Sequence, residues 1–179
     1  MTRLIDETNI KTYKGLSNNI NVAKELYPHI DEAQEFDLRP WLGESFYLWI
    51  LDTFENTPTD ADLVALLEGG VYTYDGENYE NPGLNKVLSY LSYARYSILA
   101  NAQSTPTGFV QKTNQYSDPI SGAQLTRITK QNESASNALQ QRVEDFLNRN
   151  STTYPLWENS CKGNRKKSIR INKIGKQWR

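Results

Sequence analysis

Residues 83–103, GLNKVLSYLSYARYSILANAQ, give the clearest structural signal in this chain of 179 residues. Apolar side chains recur there at steps of three and four, which is the spacing of one helix face. They are Leu84, Val87, Leu88, Leu91, Ala94, Ile98 and Ala102. A second face carries Tyr90, Tyr93 and Tyr96. Because the helix is apolar or aromatic around much of its circumference, we expect it to be buried on more than one side.

Helical patterns also precede this stretch. From about Asn18, with Asn18 or Asn19 as N-cap, helical spacing predicts a segment that Pro28 kinks or splits. Its apolar positions are Val22, Leu26, Ile30 and Ala33. A second stripe follows Pro40, which lies where a helix start tolerates proline. It consists of Leu42, Phe46, Trp49, Ile50 and Phe54.

The segment 57–80 predicts a short helix and then a hairpin. TPTDADLVALLEGG (57–70) begins with a helix cap and ends at Gly69 and Gly70. Its buried positions are Leu63, Leu66 and Leu67. The tyrosine-rich stretch from Val71 to Glu80 is centred on Asp75-Gly76, a pair typical of a tight β-hairpin turn.

A long polar helix is predicted from about Pro119 to Asn150, after a polar connection that holds a possible strand, GFVQKT (108–113). Its apolar positions are sparse, with Leu125 and Ile128 early, and Leu139, Val143, Phe146 and Leu147 late. Such a helix is mostly solvated or lies against a polar neighbour. Beyond it, Tyr154, Leu156 and Trp157 form a predicted hydrophobic latch onto the core.

The predicted fold is mainly α, a helical bundle with one long polar helix, a small β-hairpin and an extended C-terminal arm. We divide the chain into an N-terminal segment (1–17), a helical domain (18–157) with the hairpin near 71–80, and a basic C-terminal arm (158–179). The N-terminal segment is expected to hold a short extended piece. The N-terminus has no apolar run of signal-peptide length, which predicts a soluble, non-secreted chain.

Charge is divided unevenly along the sequence. All 21 acidic residues precede Lys162, together with 12 of the 20 basic ones, so residues 1–161 carry −9 and residues 162–179 carry +8. Mean hydropathy is low, −0.70, yet the chain has eleven Tyr and four Trp. Those residues are enriched at interfaces, which suggests a protein that completes its burial against partners.

The residues for an enzymatic or metal site are sparse. The single histidine, His29, is interpreted as structural or surface-exposed rather than as a catalytic base, and Cys161 as a free thiol. The usual zinc spacings cannot be met. The acidic residues Asp52, Glu55, Asp60 and Asp62 allow a hard-cation site in principle, but TPTDADL is more typical of helix capping. We therefore predict no enzyme activity, no cofactor and no metal.

The basic arm, KGNRKKSIRINKIGKQWR (162–179), has a pattern of its own. Ile169 and Ile171 alternate with polar residues, as in a strand that pairs with an edge supplied by another molecule. A floppy basic end without a partner is the simpler alternative. The predicted partner-binding residues are Arg165, Lys166, Lys167, Ile169, Arg170, Ile171, Lys173, Ile174 and Trp178.

Three longer stretches together resemble a family of small neck proteins of tailed bacteriophages. They are INVAKELYPHIDEAQEFDLRPWLGESFYLWIL (20–51), SYLSYARYSILANAQSTPTGFVQKTNQYSDPIS (89–121) and ALQQRVEDFLNRNSTTYPLW (138–157). The family comprises head–tail connectors, or ring adaptors, of the crAss-like type. The likeness covers roughly residues 18–157 and rests on segment order and on phrases such as TPTGFVQKT, not on a catalytic signature.

The resemblance implies a structural virion protein, assembled in the host cytoplasm, that forms a homo-oligomeric ring of about twelve copies at the neck. Its partners would be further copies of itself, the portal protein, other neck or tail proteins, and genomic DNA passing through the channel without sequence recognition; no membrane is involved. The alternative is a nucleic-acid-binding accessory protein that grips phosphates with its basic arm and stacks Trp178 on a base. The acidic body argues against that alternative.

Overall fold

The computed structural model describes residues 2–99, 102–106, 108–111 and 120–157, and these form a mainly α-helical bundle. The helices are α1 (Glu7–Tyr13), α2 (Tyr27–Ala33), α3 (Arg39–Leu42), α4 (Glu44–Asn56), α5 (Ala61–Glu68), α6 (Leu84–Leu99) and α7 (Gly122–Arg149), with π-helical turns at Val22–Leu26 and Gln34–Leu38. The strands are β1 (Gly70–Tyr74), β2 (Glu77–Asn81), β3 (Ala102–Thr105) and β4 (Gly108–Gln111). The predicted C-terminal arm lies outside the described residues.

Helix α6 lies at the centre of the bundle, as its sequence predicts. It packs against α1, α2, α5, α7 and both π-helical turns. Its first apolar face is buried from Leu84 to Ala94, and the tyrosine face is partly buried against the same core. The helix is shorter than predicted, because it ends at Leu99, and Ala102 begins β3 instead. Ile98, near that end, remains half exposed.

Helix α7 pairs with α6 through two different kinds of contact. Its late apolar residues, from Leu139 to Leu147, enter the common core. The earlier part presents Thr129, Asn132 and Ser136, which are buried although polar. Thr129 Oγ1 lies 3.3 Å from Ser97 Oγ of α6, so the two helices share a polar contact there. The long polar helix is therefore partly buried against a polar neighbour, one of the two arrangements that its sequence allows.

The N-terminal segment is helical rather than extended, which corrects the sequence prediction. Asp6 Oδ1 accepts hydrogen bonds from the backbone N–H groups of Thr8 and Asn9, and Asn9 Oδ1 accepts one from the Asp6 N–H. This reciprocal capping box satisfies donors that a helix start leaves unpaired, and it begins α1. Leu4, Ile5 and Ile10 then lie in the core.

The helical segment that follows starts later than expected. Asn21, not Asn18 or Asn19, is its N-cap, and its side chain accepts a hydrogen bond from the Lys24 N–H. Pro28 marks the predicted split, because the chain changes from a π-helical turn to α2 just before it. Proline has no N–H for the ladder, so it is tolerated near the start of an α-helix.

The second apolar stripe spans two helices instead of one. Gly43, at φ +80°, separates α3 from α4, and Pro40 lies in the first turn of α3 as predicted. Leu42, Phe46 and Ile50 are nevertheless buried together. In α5, the predicted burial of Leu63, Leu66 and Leu67 is confirmed.

The β1–β2 hairpin is confirmed where the sequence places it, with Asp75 and Gly76 at the turn in left-handed conformation. Two backbone segments approach each other closely at the base of this hairpin. Gly83, which follows β2, has φ +80°, and a Cβ atom there would lie 2.6 Å from the backbone of Leu67 and Glu68. Backbone atoms cannot move aside as a flexible side chain does, so this approach requires glycine. A second hairpin, β3–β4, includes part of the possible strand at GFVQKT.

We expect Gly83→Ala to lower the free energy of unfolding by more than about 3 kcal/mol, since it combines left-handed strain with a backbone clash. Gly76→Ala is the matched control. Gly76 has the same φ of +80° but open space around its Cβ position, so only the strain of about 1–2 kcal/mol applies. Urea unfolding of both variants measures the difference. Equal losses would show that the close approach at Gly83 does not constrain the fold.

Candidate functional site

The arm predicted to bind partners lies beyond the described part of the chain. Its residues Arg165, Lys166, Lys167, Ile169, Arg170, Ile171, Lys173, Ile174 and Trp178 are all outside the described residues, as is Cys161. The structure therefore brings none of them to a site. What it does describe is the surface from which the arm departs, where the described chain ends at Trp157.

That surface is built on a cluster of aromatic rings. Trp157 packs against Trp41 of α3 and Phe46 of α4, with ring centroids 6.3 and 6.0 Å apart. Tyr154 packs edge-on against Phe46 and Trp49, at 6.1 and 6.2 Å. Tyr154 and Trp157 are both almost fully buried. The predicted hydrophobic latch is confirmed, and it fixes the end of the described chain to α3 and α4.

The latch does not fill all the space beside α4. A cleft of about 170 Å³ remains, which we call the aromatic groove. Its lining residues are Phe46, Trp49, Thr153, Tyr154, Pro155 and Leu156. Phe46 and Trp49 stack nearly parallel, with centroids 5.5 Å apart, and form one wall. The groove is thus a mainly apolar recess within a few residues of the point where the C-terminal arm begins.

Tyr154 connects the groove to the start of α5. Its hydroxyl donates a 2.8 Å hydrogen bond to the Asp62 carbonyl oxygen. Burial, with smaller contributions from the negative charges of Asp62 and Asp60, raises the pKa of Tyr154 well above its ordinary value. Asp60 itself caps α5, accepting a hydrogen bond from the Leu63 N–H. The hydroxyl therefore stays protonated next to two carboxylates.

Acidic side chains cover the elements around the groove. Residues 40–85 contain nine acidic residues and no Lys or Arg. We call this set the acidic band: Glu44, Asp52, Glu55, Asp60, Asp62, Glu68, Asp75, Glu77 and Glu80. Asp60 is half-buried and the other eight are exposed. The band follows α4, α5 and the β1–β2 hairpin, so one contiguous piece of chain carries nine negative charges, which equals the net charge of residues 1–161.

Several basic side chains of the domain are occupied by acidic partners. Arg95 of α6 makes two hydrogen bonds to Asp37, at 2.7 and 2.8 Å. Arg39 pairs with Glu35 and with Glu44 of the band. These pairs neutralise arginines within the domain, and among the described residues the ion pairs reach two members of the band, Glu44 and Glu80. Arg142 to Glu80, at 2.8 Å, is a second pair that reaches the band.

Arg149, at the end of α7, lies on the tyrosines of the hairpin. Its guanidinium carbon is 3.7 Å from the centre of the Tyr79 ring, and Nη1 donates a 2.8 Å hydrogen bond to the Tyr72 hydroxyl. A cation over an aromatic face is attracted by the ring quadrupole. Sequence analysis missed this contact, although the tyrosines at 72 and 79 face each other across the hairpin. It attaches the hairpin to α7.

His29, considered as a catalytic base, and Asp52, considered as a cation ligand, both contact neighbouring side chains in the fold. His29 lies 3.4 Å from Glu32 and packs edge-on against Tyr96, consistent with a structural role. Asp52 accepts a hydrogen bond from Asn56 within α4. Among the described residues, no three His, Cys, Asp or Glu side chains converge as metal ligands. Nor does any helix in the described ranges have the length and apolarity to cross a membrane.

Two features of the site escaped sequence analysis for different reasons. The net charge of residues 1–161 does not show where the acidic residues lie. A count over residues 40–85 alone identifies the acidic band, because that segment has no Lys or Arg. The groove was not predictable, because its residues were correctly assigned to the core and to the latch. Only the packing of Tyr154 against Phe46 and Trp49 shows that a recess remains between them.

The chain belongs to a protein family described as a family of unknown function, DUF6712, whose model matches residues 38–167. The match includes α3 to α7, the acidic band, the latch and the first part of the basic arm. No curated protein and no solved structure is significantly similar to the chain. The family description assigns no activity, so any function has to be argued from the site.

Raising the pH above about 10, the ordinary tyrosine value, is expected to destabilise the protein. The folded-state pKa of Tyr154 is raised, so its contribution to stability is complete below the unfolded-state value and is lost as the pH rises through the folded-state value. In Tyr154→Phe the free energy of unfolding should fall less steeply as the pH rises, although the variant also loses the hydrogen bond to the Asp62 carbonyl oxygen. Tyr74→Phe, on the exposed hairpin, is the control. Urea unfolding from pH 8 to 11 measures both, and equal slopes in the two variants would contradict the assignment.

Proposed function

We propose that this chain is a structural connector protein that assembles into a ring at the neck of a tailed bacteriophage, between the portal and the tail. The observation that carries the proposal is the segregation of charge: an acidic folded domain is followed by residues 162–179, which include eight basic residues and no acidic one. The resemblance of residues 18–157 to ring adaptors supplies the biological setting.

Opposite charges at two places on one chain favour head-to-tail contact between copies. The acidic band and the basic arm are different surfaces, so a contact between them is heterologous, and heterologous contacts close into rings when the rotation allows. Complementary electrostatic potentials raise the association rate of two such surfaces and favour one relative orientation. The charge arrangement of the chain therefore supports head-to-tail assembly.

An acidic ring is also suited to a channel for DNA. Phosphates bind proteins chiefly through Lys and Arg, with release of counterions. A wall formed by the acidic residues that the arm leaves uncovered, with arginines such as Arg39 and Arg142 held in ion pairs, presents few free positive charges to DNA. The genome can then slide past without sticking. A dedicated nucleic-acid-binding protein would instead present positive charge on its folded surface.

The proposal predicts that the full-length chain, alone or mixed with portal protein, forms closed rings of about twelve copies. Negative-stain electron microscopy and light scattering measure this directly. Monomers under every condition, including with portal protein present, would contradict it.

A gel assay with duplex DNA separates the connector from the nucleic-acid-binding alternative. We expect weak binding, with little change when residues 162–179 are deleted. Tight binding that falls steeply with salt and disappears on this deletion would favour the alternative, because such salt dependence reports contacts to phosphates.

A further inference from the structure

The aromatic groove is an apolar recess, and the helices next to it carry Asp52, Asp60 and Asp62, which we call the acidic border. Its Phe46–Trp49 wall lies on α4, and Asp52 follows Trp49 by one helical turn. Across the groove, Tyr154 lies against Asp62 and Asp60. Elsewhere in the aromatic cluster, Glu144 accepts a 2.7 Å hydrogen bond from Trp41, which packs on Trp157. A matching ligand would combine a flat apolar group with positive charge.

The chain contains a segment of this chemistry. Residues 158–179 follow the groove directly and include eight basic residues, three isoleucines and Trp178. The groove volume of about 170 Å³ is similar to the ~150 Å³ cavity that holds a benzene ring in another protein, which is space for the six-membered ring of an aromatic side chain. Extended, these 22 residues reach at most about 75 Å, enough to cross to a neighbouring molecule.

We infer that the aromatic groove binds the C-terminal segment of a second copy of this chain, with Trp178 in the groove and the basic residues against the acidic border. This inference rests on the proposed function, whose ring contact it identifies. A segment that returned to the groove of its own molecule would have to reverse direction within 22 residues. All eight basic residues lie within 162–179, so a tight reversal there brings like charges closer together and raises their repulsion.

The order of the elements supports a head-to-tail arrangement. The segment leaves beside the groove of one molecule and occupies the groove of the next, so each copy uses two different surfaces. Such contacts are heterologous and repeat around a ring. Positive charge brings the segment to the acidic border, whereas burial of an aromatic anchor holds it, as at other interfaces.

Photo-cross-linking of the full-length chain tests the inference. Trp178 is replaced by benzoylphenylalanine in a mixture of isotopically light and heavy chains, and the cross-linked peptides are identified by mass spectrometry. We expect cross-links to Trp49 and to residues 153–156, with mixed light–heavy pairs as frequent as pairs of one isotope. Like-isotope pairs alone would show binding within one molecule, and cross-links elsewhere would show another site. Either result overturns the inference.

Variants supply a quantitative check by sedimentation velocity at low salt. Trp178→Ala should weaken self-association about 30-fold, as expected for a buried aromatic anchor. Asp52→Asn with Asp62→Asn should weaken it about fivefold, as expected for two exposed ion pairs. Leu48→Ala, exposed on α4 but outside the groove, and Asp75→Asn, at the hairpin turn, are the controls. Equal effects of the controls and the site variants would contradict the inference.

Failure of this inference and failure of the proposed function are distinguishable. Rings at the phage neck without cross-links from position 178 to the groove would overturn the inference and leave the connector function standing. Light–heavy cross-links to the groove in a chain that is absent from phage particles would overturn the connector function and leave the contact standing.

Discussion

The need to cover helix α6 on all sides determines the rest of the structure. A helix with leucines on one face and tyrosines on another cannot face water along any long stripe. The bundle meets this need by packing α1, α2, α5 and α7 against it, with α7 as the most extensive neighbour. Elements distant in sequence thereby become neighbours. Gly83 allows the chain to enter α6 directly from the hairpin, passing within contact distance of the end of α5.

Helix α7 covers one side of α6, and it does so partly with polar side chains. Near the latch it contributes Leu139, Val143 and Phe146 to the core, but farther out it meets α6 through small polar residues such as Thr129 and Ser136. The hydroxyl oxygens of Thr129 and Ser97 lie 3.3 Å apart, so the two helices share a polar contact within their interface. The polar helix is thus a structural part of the bundle, and its apolar end leads into the latch.

Much of this fold could be predicted from the sequence because period and turn chemistry act locally. The buried positions of α6 from Leu84 to Ala94 and of α7 from Leu139 to Leu147 could be predicted in this way, as could the Asp75-Gly76 turn and the latch. Ala102, predicted in α6, lies in β3, and Ile98 and Ile128 are exposed. The errors arose where side-chain hydrogen bonds compete. Asp6 and Asn9 form a capping box in a segment expected to be extended, and Asn21 caps where Asn18 or Asn19 was expected. The groove could not be predicted, because it depends on packing between distant elements.

The separation of acidic and basic residues along the chain is the feature of this protein that supports the proposed connector function. The domain holds its acidic band on α4, α5 and the hairpin, while the positive charge follows the latch in one short segment. The most direct test is quantitative mass spectrometry of purified phage particles. The account predicts a fixed number of about twelve copies per particle, retained in heads to which tails have been joined. A chain that is abundant in infected cells but absent from these particles would contradict it.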